Sequence, residues 1–585
     1  MKKLFTPILI IVMLLHSCGN NKNAEITVEE MTDLIEYMAS DDLGGRYPGT
    51  PEDSVLLKYI KDQFMNAGLK SFNGKYLQEF NFLSGIEPAA SNSLKFKEES
   101  YIQKEDFYPF SFSSSGNLSA PVVFCGYGFE FSTDENSRND YENLEIKEKW
   151  ALIMRGEPEN HNDFMERSRD RDKALLAMEK GAAGVLLVSG TDYSSSDDLE
   201  TGLNREPEID IPVLQVKRDI AGRIIQESGL TISEMAEKSI DKPGYSFQTD
   251  QDLVADIRVE KVYSYTANVV GYLEGKNGNQ DHWMIIGAHH DHLGMGGKGS
   301  SSRAPDTIAV HNGADDNASG VATVIELAEY FSAKSNRPEA GLIFVSFGAE
   351  EKGLLGSRHF VENSPVQHGE IDYMINIDML GRMKKDSSLQ VGGTGTSNVG
   401  SQLIDSLNTK YQLNISQSSA GYGPSDHASF YTVDIPVYFF STGAHQDYHT
   451  PFDDADSLNY DGLVLGTRFI ADLVDEIDKL EERPVYQEAG PKTNTSRSFR
   501  NRITLGIMPD VSGESKIGMK VLAVTEGKPA YLGGMQKGDI ITAIEGKEVS
   551  NVYDYMYRLN DLKAGDRIVV TVIRDEKQIE LIIQL

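Results

Sequence analysis

The chain has 585 residues, room for three domains of ordinary size, and its 39% hydrophobic and 25% charged content is that of a globular protein rather than a disordered or fibrous one. Its net charge of −33 is spread along the sequence rather than gathered in a tail. Phosphate backbones are bound by basic faces, so this balance excludes nucleic acid as a partner.

At the start, Met1-Lys2-Lys3 precedes an apolar run from Leu4 to Leu15, then His16-Ser17-Cys18-Gly19. A basic start, a short apolar core and small residues at the cut describe a secretory signal too short to span a bilayer. Leu15-His16-Ser17-Cys18 resembles the end of a bacterial lipoprotein signal, with His16 where a small or β-branched residue is usual. That resemblance implies a lipoprotein signal over residues 1–18, cut before a lipidated Cys18 that becomes the mature N-terminus, a membrane anchor, and a periplasmic or cell-surface location. The other reading is a plain signal peptide with an incidental cysteine. Residues 19–26 then serve as a tether. Only Cys125 would remain, so no disulfide within the chain is available to hold it.

Thr27 and Glu30 have capping-box spacing, and Met31, Leu34, Ile35 and Met38 follow at helical period. After the loop Gly44-Gly45-Arg46-Tyr47-Pro48-Gly49, Thr50 caps a second helix with Pro51 in its first turn and Gly68 beyond its end. From about Ala120 the texture changes. Strands are expected at 122–128, 150–154, 181–188 and 211–216, with a helix at 173–180. Between 253 and 480, strands at 283–287, 342–347, 373–377 and 437–440 alternate with helices at 321–331, 354–361 and 460–480. Such alternation predicts an α/β fold with a mostly parallel sheet and helices on both faces, whose sites gather at the carboxyl ends of the strands. A linker rich in Pro, Gly, Thr, Asn and Ser occupies 483–500, and 501–585 reads as a small β domain.

Five clusters follow the expected strands in order. They are Gly287-Ala288-His289-His290-Asp291-His292, Gly313-Ala314-Asp315-Asp316-Asn317-Ala318-Ser319-Gly320, Ala349-Glu350-Glu351, Asn376-Ile377-Asp378-Met379 and Tyr448-His449-Thr450-Pro451. Zinc takes imidazole nitrogen and carboxylate oxygen, and two adjacent ions need a shared carboxylate. One bridging Asp, one further carboxylate and one His per ion make five ligands, and a sixth, unligated carboxylate must move the proton. The clusters supply that complement.

In wording and order they resemble the two-zinc exopeptidases of the bacterial aminopeptidase, aminopeptidase Y and glutamate carboxypeptidase type. The resemblance implies a zinc peptidase domain over 27–118 and 251–482, with a protease-associated β-rich domain inserted at 119–250. It implies two Zn2+ per chain, one on His289 and Asp378, the other on Glu351 and His449, with Asp315 bridging and the Asp315–Asp316 bond cis. Glu350 is the implied general base for hydrolysis by a zinc-activated water, Asp291 orients His289, and Tyr422 in Ala420-Gly421-Tyr422-Gly423-Pro424 stabilises the oxyanion. A disulfide that flanks this tyrosine in some relatives is replaced by Ala420 and Pro424. His290 and His292 read as loop histidines without a role. Asp426 and His427 either support the site or form structural hydrogen bonds, and 294–297 is a flexible glycine loop near the pocket.

The implied activity is release of N-terminal residues from peptides. Glutaminyl cyclisation with a single zinc, a carboxypeptidase and a non-catalytic peptide-binding scaffold are the alternatives. Arg303, Arg358 and Arg382 stand isolated, whereas a pocket for acidic C-terminal residues needs clustered arginines. The last domain resembles a PDZ domain, which implies capture of a peptide C-terminus beside Leu505-Gly506-Ile507-Met508.

Overall fold

A computed structural model describes residues 25–490 and 503–585, apart from 133–136, 159–167, 191–192, 201–208, 242–244, 298–299, 334–336, 510–516, 525–527, 550–554, 556–557, 560–561, 563–564 and 576. The expected signal, Cys18 and the tether to residue 24 lie outside the described residues. Among those described, no helix is long and apolar enough to cross a membrane.

The leading helices form as their caps predict. Helix α1 (Val28–Met38) starts at Thr27, whose hydroxyl accepts from Glu30 N at 3.2 Å, and buries Met31, Leu34, Ile35 and Met38. Helix α2 (Pro51–Asn66) is capped by Thr50. The first unit then builds an eight-stranded sheet from β1 (Leu77–Pro88), β2 (Val259–Leu273), β3 (Trp283–His289), β4 (Gly341–Phe347), β5 (Ile371–Ile377), β6 (Ser388–Gly392), β7 (Asn414–Gln417) and β8 (Val437–Ser441). Their order is β1-β2-β4-β3-β5-β8-β6-β7. The middle four, β4, β3, β5 and β8, are parallel. Every residue of these four strands is buried, because a parallel sheet is covered on both faces.

Alternate residues feed two cores, as the pleat dictates. Ile286, Phe344, Ile375 and Phe440 join the core shared with α1, α2, α3 (Gly320–Ala333), α5 (Gly400–Tyr411) and α6 (Tyr460–Asp478). Ile285, Val345, Met374 and Val437 join the opposite core with Phe360 of α4 (Leu355–Glu362) and Phe430 of the short helix His427–Tyr431.

A second eight-stranded sheet has its own core. Here the structure moves a boundary: Ser93–Phe96, Glu99–Tyr101 and Phe107–Pro109, grouped with the peptidase domain on the sequence, pair within this second sheet. It therefore begins about 25 residues earlier than expected, because β1 and β2 leave the first sheet as a ribbon and carry the insertion at their ends. A third sheet and core occupy the last domain. There Leu505 is fully buried in the core, Gly506 has φ +71°, and Ile507–Pro509 is, among the described residues, an edge strand paired with Met519–Val524. The described protein holds one cysteine, Cys125, free and buried.

Candidate metal centre

The four parallel strands end at one rim, and the clusters follow them there. His289 is the last residue of β3, Asp378 directly follows β5, Glu350 and Glu351 follow β4, and His449 lies on the loop after β8. Asp316 comes from the turn Ala314–Ser319 that leads into α3.

His289 Nε2 lies 3.3 Å from Asp316 Oδ1 and 3.5 Å from Asp378 Oδ1. His449 Nε2 lies 3.1 Å from Asp316 Oδ2 and 3.2 Å from Glu351 Oε1. Asp316 thus offers one oxygen to each pair. Both imidazoles are held by the other nitrogen: His289 Nδ1 faces the Asp291 carbonyl oxygen and His449 Nδ1 the Ser301 carbonyl oxygen, each at 3.1 Å. This directs both Nε2 atoms inward. Tetrahedral zinc with bonds of about 2.0–2.1 Å keeps its ligand atoms roughly 3.3–3.4 Å apart, so the donor set and its spacing fit that ion.

The electrostatics also call for cations. Burial pushes the Glu350 carboxyl well above its ordinary range, opposed by His289 and reinforced by Glu351, Asp426 and Asp378. Burial would also raise Glu351, but His449 and His292 bring it down to about 2. Burial works against charge on His289, yet Glu350, Asp378 and Asp316 outweigh it and lift the imidazole well above its usual value.

The structure corrects the assignment of the bridge. Asp315 points away from His289 and His449: its Oδ1 accepts from Gly381 N at 2.6 Å and from Ser319 Oγ at 3.2 Å, and its Oδ2 faces His445 Nε2 at 3.3 Å. Consecutive residues of an irregular turn project in different directions, and with Asp316 at φ −106°, ψ 91° only its carboxylate reaches the histidines. The cis peptide bond is likewise one residue later than expected, at Asp316–Asn317.

Asp291 does more than face His289. Its Oδ1 accepts from Glu350 N at 2.8 Å and its Oδ2 from Glu351 N at 3.2 Å, so one carboxylate seats both glutamates. His292, read as a bystander, is fully buried with Nδ1 3.0 Å from Glu351 Oε1. His290 is structural, bonded through Nδ1 to Ser346 Oγ at 2.9 Å. Tyr422 packs against the core that holds Phe430 and Tyr431. A different tyrosine stands over the centre: the Tyr448 ring stacks on His449 at 3.8 Å between centroids. Its hydroxyl is pushed well up by burial and by Asp316, Glu351, Asp378 and Glu350. Its position next to His449 in sequence was the signal available for it. Burial raises Asp426, close enough to His289 and Asp378 to feel both charges, to about 6.

Comparison with known proteins matches residues 268–474 to peptidase family M28, 118–224 to the PA domain and 495–585 to the PDZ domain. The chain is 24% identical over 397 residues to "Aminopeptidase YwaD" of Bacillus subtilis, covering 66% of this chain and 72% of that protein. It is 27% identical over 426 residues to an "Aminopeptidase" of Pseudomonas aeruginosa, covering 70% and 69%. Among solved structures, the zinc aminopeptidase BSAP from Bacillus subtilis has a TM-score of 0.47 at 20% identity, covering 80% of this chain and all of that one.

Proposed function

We propose that this chain, whose residues 268–474 belong to peptidase family M28, is an aminopeptidase that removes N-terminal residues from peptides with two zinc ions. His289 and Asp378 would hold one ion, Glu351 and His449 the other, and Asp316 would bridge. The observation that carries this is the Asp316 carboxylate, with one oxygen 3.3 Å from His289 and the other 3.1 Å from His449. Bound zinc would supply Lewis acidity, polarising the scissile carbonyl and making water a nucleophile near neutral pH.

The chain's own groups do the rest. Glu350, held through its backbone by Asp291, is a buried carboxylate of high proton affinity, suited to take a proton from water and pass it to the leaving amine. The Tyr448 hydroxyl donates to the carbonyl oxygen as it gains negative charge. The carboxylates around the centre favour a substrate's free ammonium terminus. Among the relatives, the names of the Bacillus and Pseudomonas proteins support the aminopeptidase assignment. A carboxypeptidase would need a free arginine at the site, whereas Arg382 is engaged by Asp447 at 3.1 Å and Asp453 at 3.3 Å. The signal at Met1–Cys18 supports an exported, lipid-anchored enzyme.

The test is hydrolysis of a panel of aminoacyl chromogenic amides, with and without chelator and with zinc restored. Cleavage that chelator abolishes and zinc returns is expected. Cleavage indifferent to chelator would overturn the metal mechanism, and a two-zinc protein that leaves every N-terminal substrate intact would overturn the aminopeptidase assignment.

A further inference from the structure

Residues 44–46 precede the sheet in the chain yet sit against the turn that presents Asp316. Arg46 is 1% exposed. Its guanidinium donates only to backbone carbonyls: Nε to His290 O at 2.8 Å, Nη1 to Met38 O at 3.0 Å and to Asn312 O, and Nη2 to Gly313 O at 2.8 Å and Asp316 O at 3.3 Å. The charges that answer it are Asp316, Asp453, Asp291 and Glu351. From the other side, Asp453 Oδ2 accepts from the backbone N–H of both Asp315 and Asp316, each at 3.0 Å. The Asp453 carbonyl accepts from Ala314 N at 2.9 Å, and its Oδ1 faces Arg382 Nη2 at 3.3 Å.

The backbone of residues 312–316 is therefore gripped by its carbonyls from one side and by its amides from the other. The approach depends on glycine at 45, where a Cβ would stand 2.5 Å from Gly294 O and 2.7 Å from His311 O. The same turn also holds the loop after β3, through His292 N on Arg46 O at 3.1 Å and Gly294 N on Gly45 O at 2.9 Å. Only a guanidinium offers five donors in one plane, and a lysine in its place would leave most of these carbonyls unanswered.

We infer that Arg46 and Asp453 are positioning residues of the metal centre: together they set where the Asp316 carboxylate points, and so the affinity with which the centre holds its ions. This rests on the zinc assignment above. Partners that orient ligands from outside commonly contribute ten- to hundredfold in metal affinity.

The experiment is zinc competition against a chromogenic chelator for the full chain, Arg46→Lys and Asp453→Asn, with melting of each metal-free protein alongside. At least about tenfold weaker zinc binding is expected in each variant, with hydrolysis recovering toward the wild-type rate at saturating zinc. Recovery separates an effect on affinity from a merely damaged fold. If Arg46→Lys does not fold, Asp453→Asn decides. Wild-type zinc affinity in the variants that fold would overturn the inference. A wild-type chain that takes up no zinc would instead sink the zinc assignment, and this inference with it.

Discussion

Asp315 and Asp316 are chemically identical neighbours, and their separation of roles is the sharpest residue-level consequence of the structure. Asp316→Asn replaces one of the two oxygens between His289 and His449 with an amide. It should lose at least one zinc per chain by elemental analysis and nearly all activity. Asp315→Asn, at a carboxylate bonded to Gly381, Ser319 and His445 instead, should keep both ions. The opposite pattern would reinstate Asp315 as the bridge. Glu350 touches no ion in this assignment, so Glu350→Gln should retain zinc while turnover falls roughly hundred- to ten-thousandfold. Near-native activity in a zinc-replete Glu350→Gln protein would rule it out as the base.

At the scale of elements, the proposed ligands come from strand ends, the loops after them and the turn into α3, which is why the motifs were legible in order along the chain. The starts of helices α1 and α2 were legible to the residue because their caps and apolar periods are local. Strands β1 and β2 were not. They carry mixed polar residues, and their pairing spans the whole insertion, from Leu77 on Val269 to Pro88 on Val259. The short helix His427–Tyr431 bears on pH. Burial lowers the His427 imidazole to about 3, while its ring packs 4.7 Å from Phe439. It is neutral in the fold and protonates near pH 6.5 once unfolded, so the stability it supports is complete above that pH and is lost as pH falls toward 3. The full slope is about 1.4 kcal/mol per pH unit. Melting of the metal-free protein between pH 4 and 6.5 should show this slope, shared with His290, which burial likewise lowers to about 3. His427→Gln should flatten it by one proton's worth; an unchanged slope would show that His427 is charged in the fold.

In the whole molecule, the three larger sheets pack against separate cores, and every group assigned to the centre comes from residues 46–453. The chain between the peptidase-type unit and the last domain continues to pack on the former, through Ala489 N and Gly490 O bonded to the Tyr431 hydroxyl at 2.8 and 2.7 Å. A chain ending after Gly490 should therefore fold and hydrolyse small chromogenic amides at close to the full rate. A large loss would show that the last domain completes the site.

Fold class, the order of the strands that carry chemistry, and the clusters that contain His289, Glu350, Glu351, Asp378 and His449 could all be read from the chain. They depend on hydrophobic period, caps and motif order, which are local properties of sequence. The choice of Asp316 over Asp315, the places of His292 and Tyr448, the start of the inserted sheet at Ser93 and the grip of Arg46 on the Asp316 turn were decided only by the tertiary structure. Each depends on the direction in which a side chain leaves an irregular turn, or on contact between segments as far apart as 270 residues, and neither quantity has a local signature.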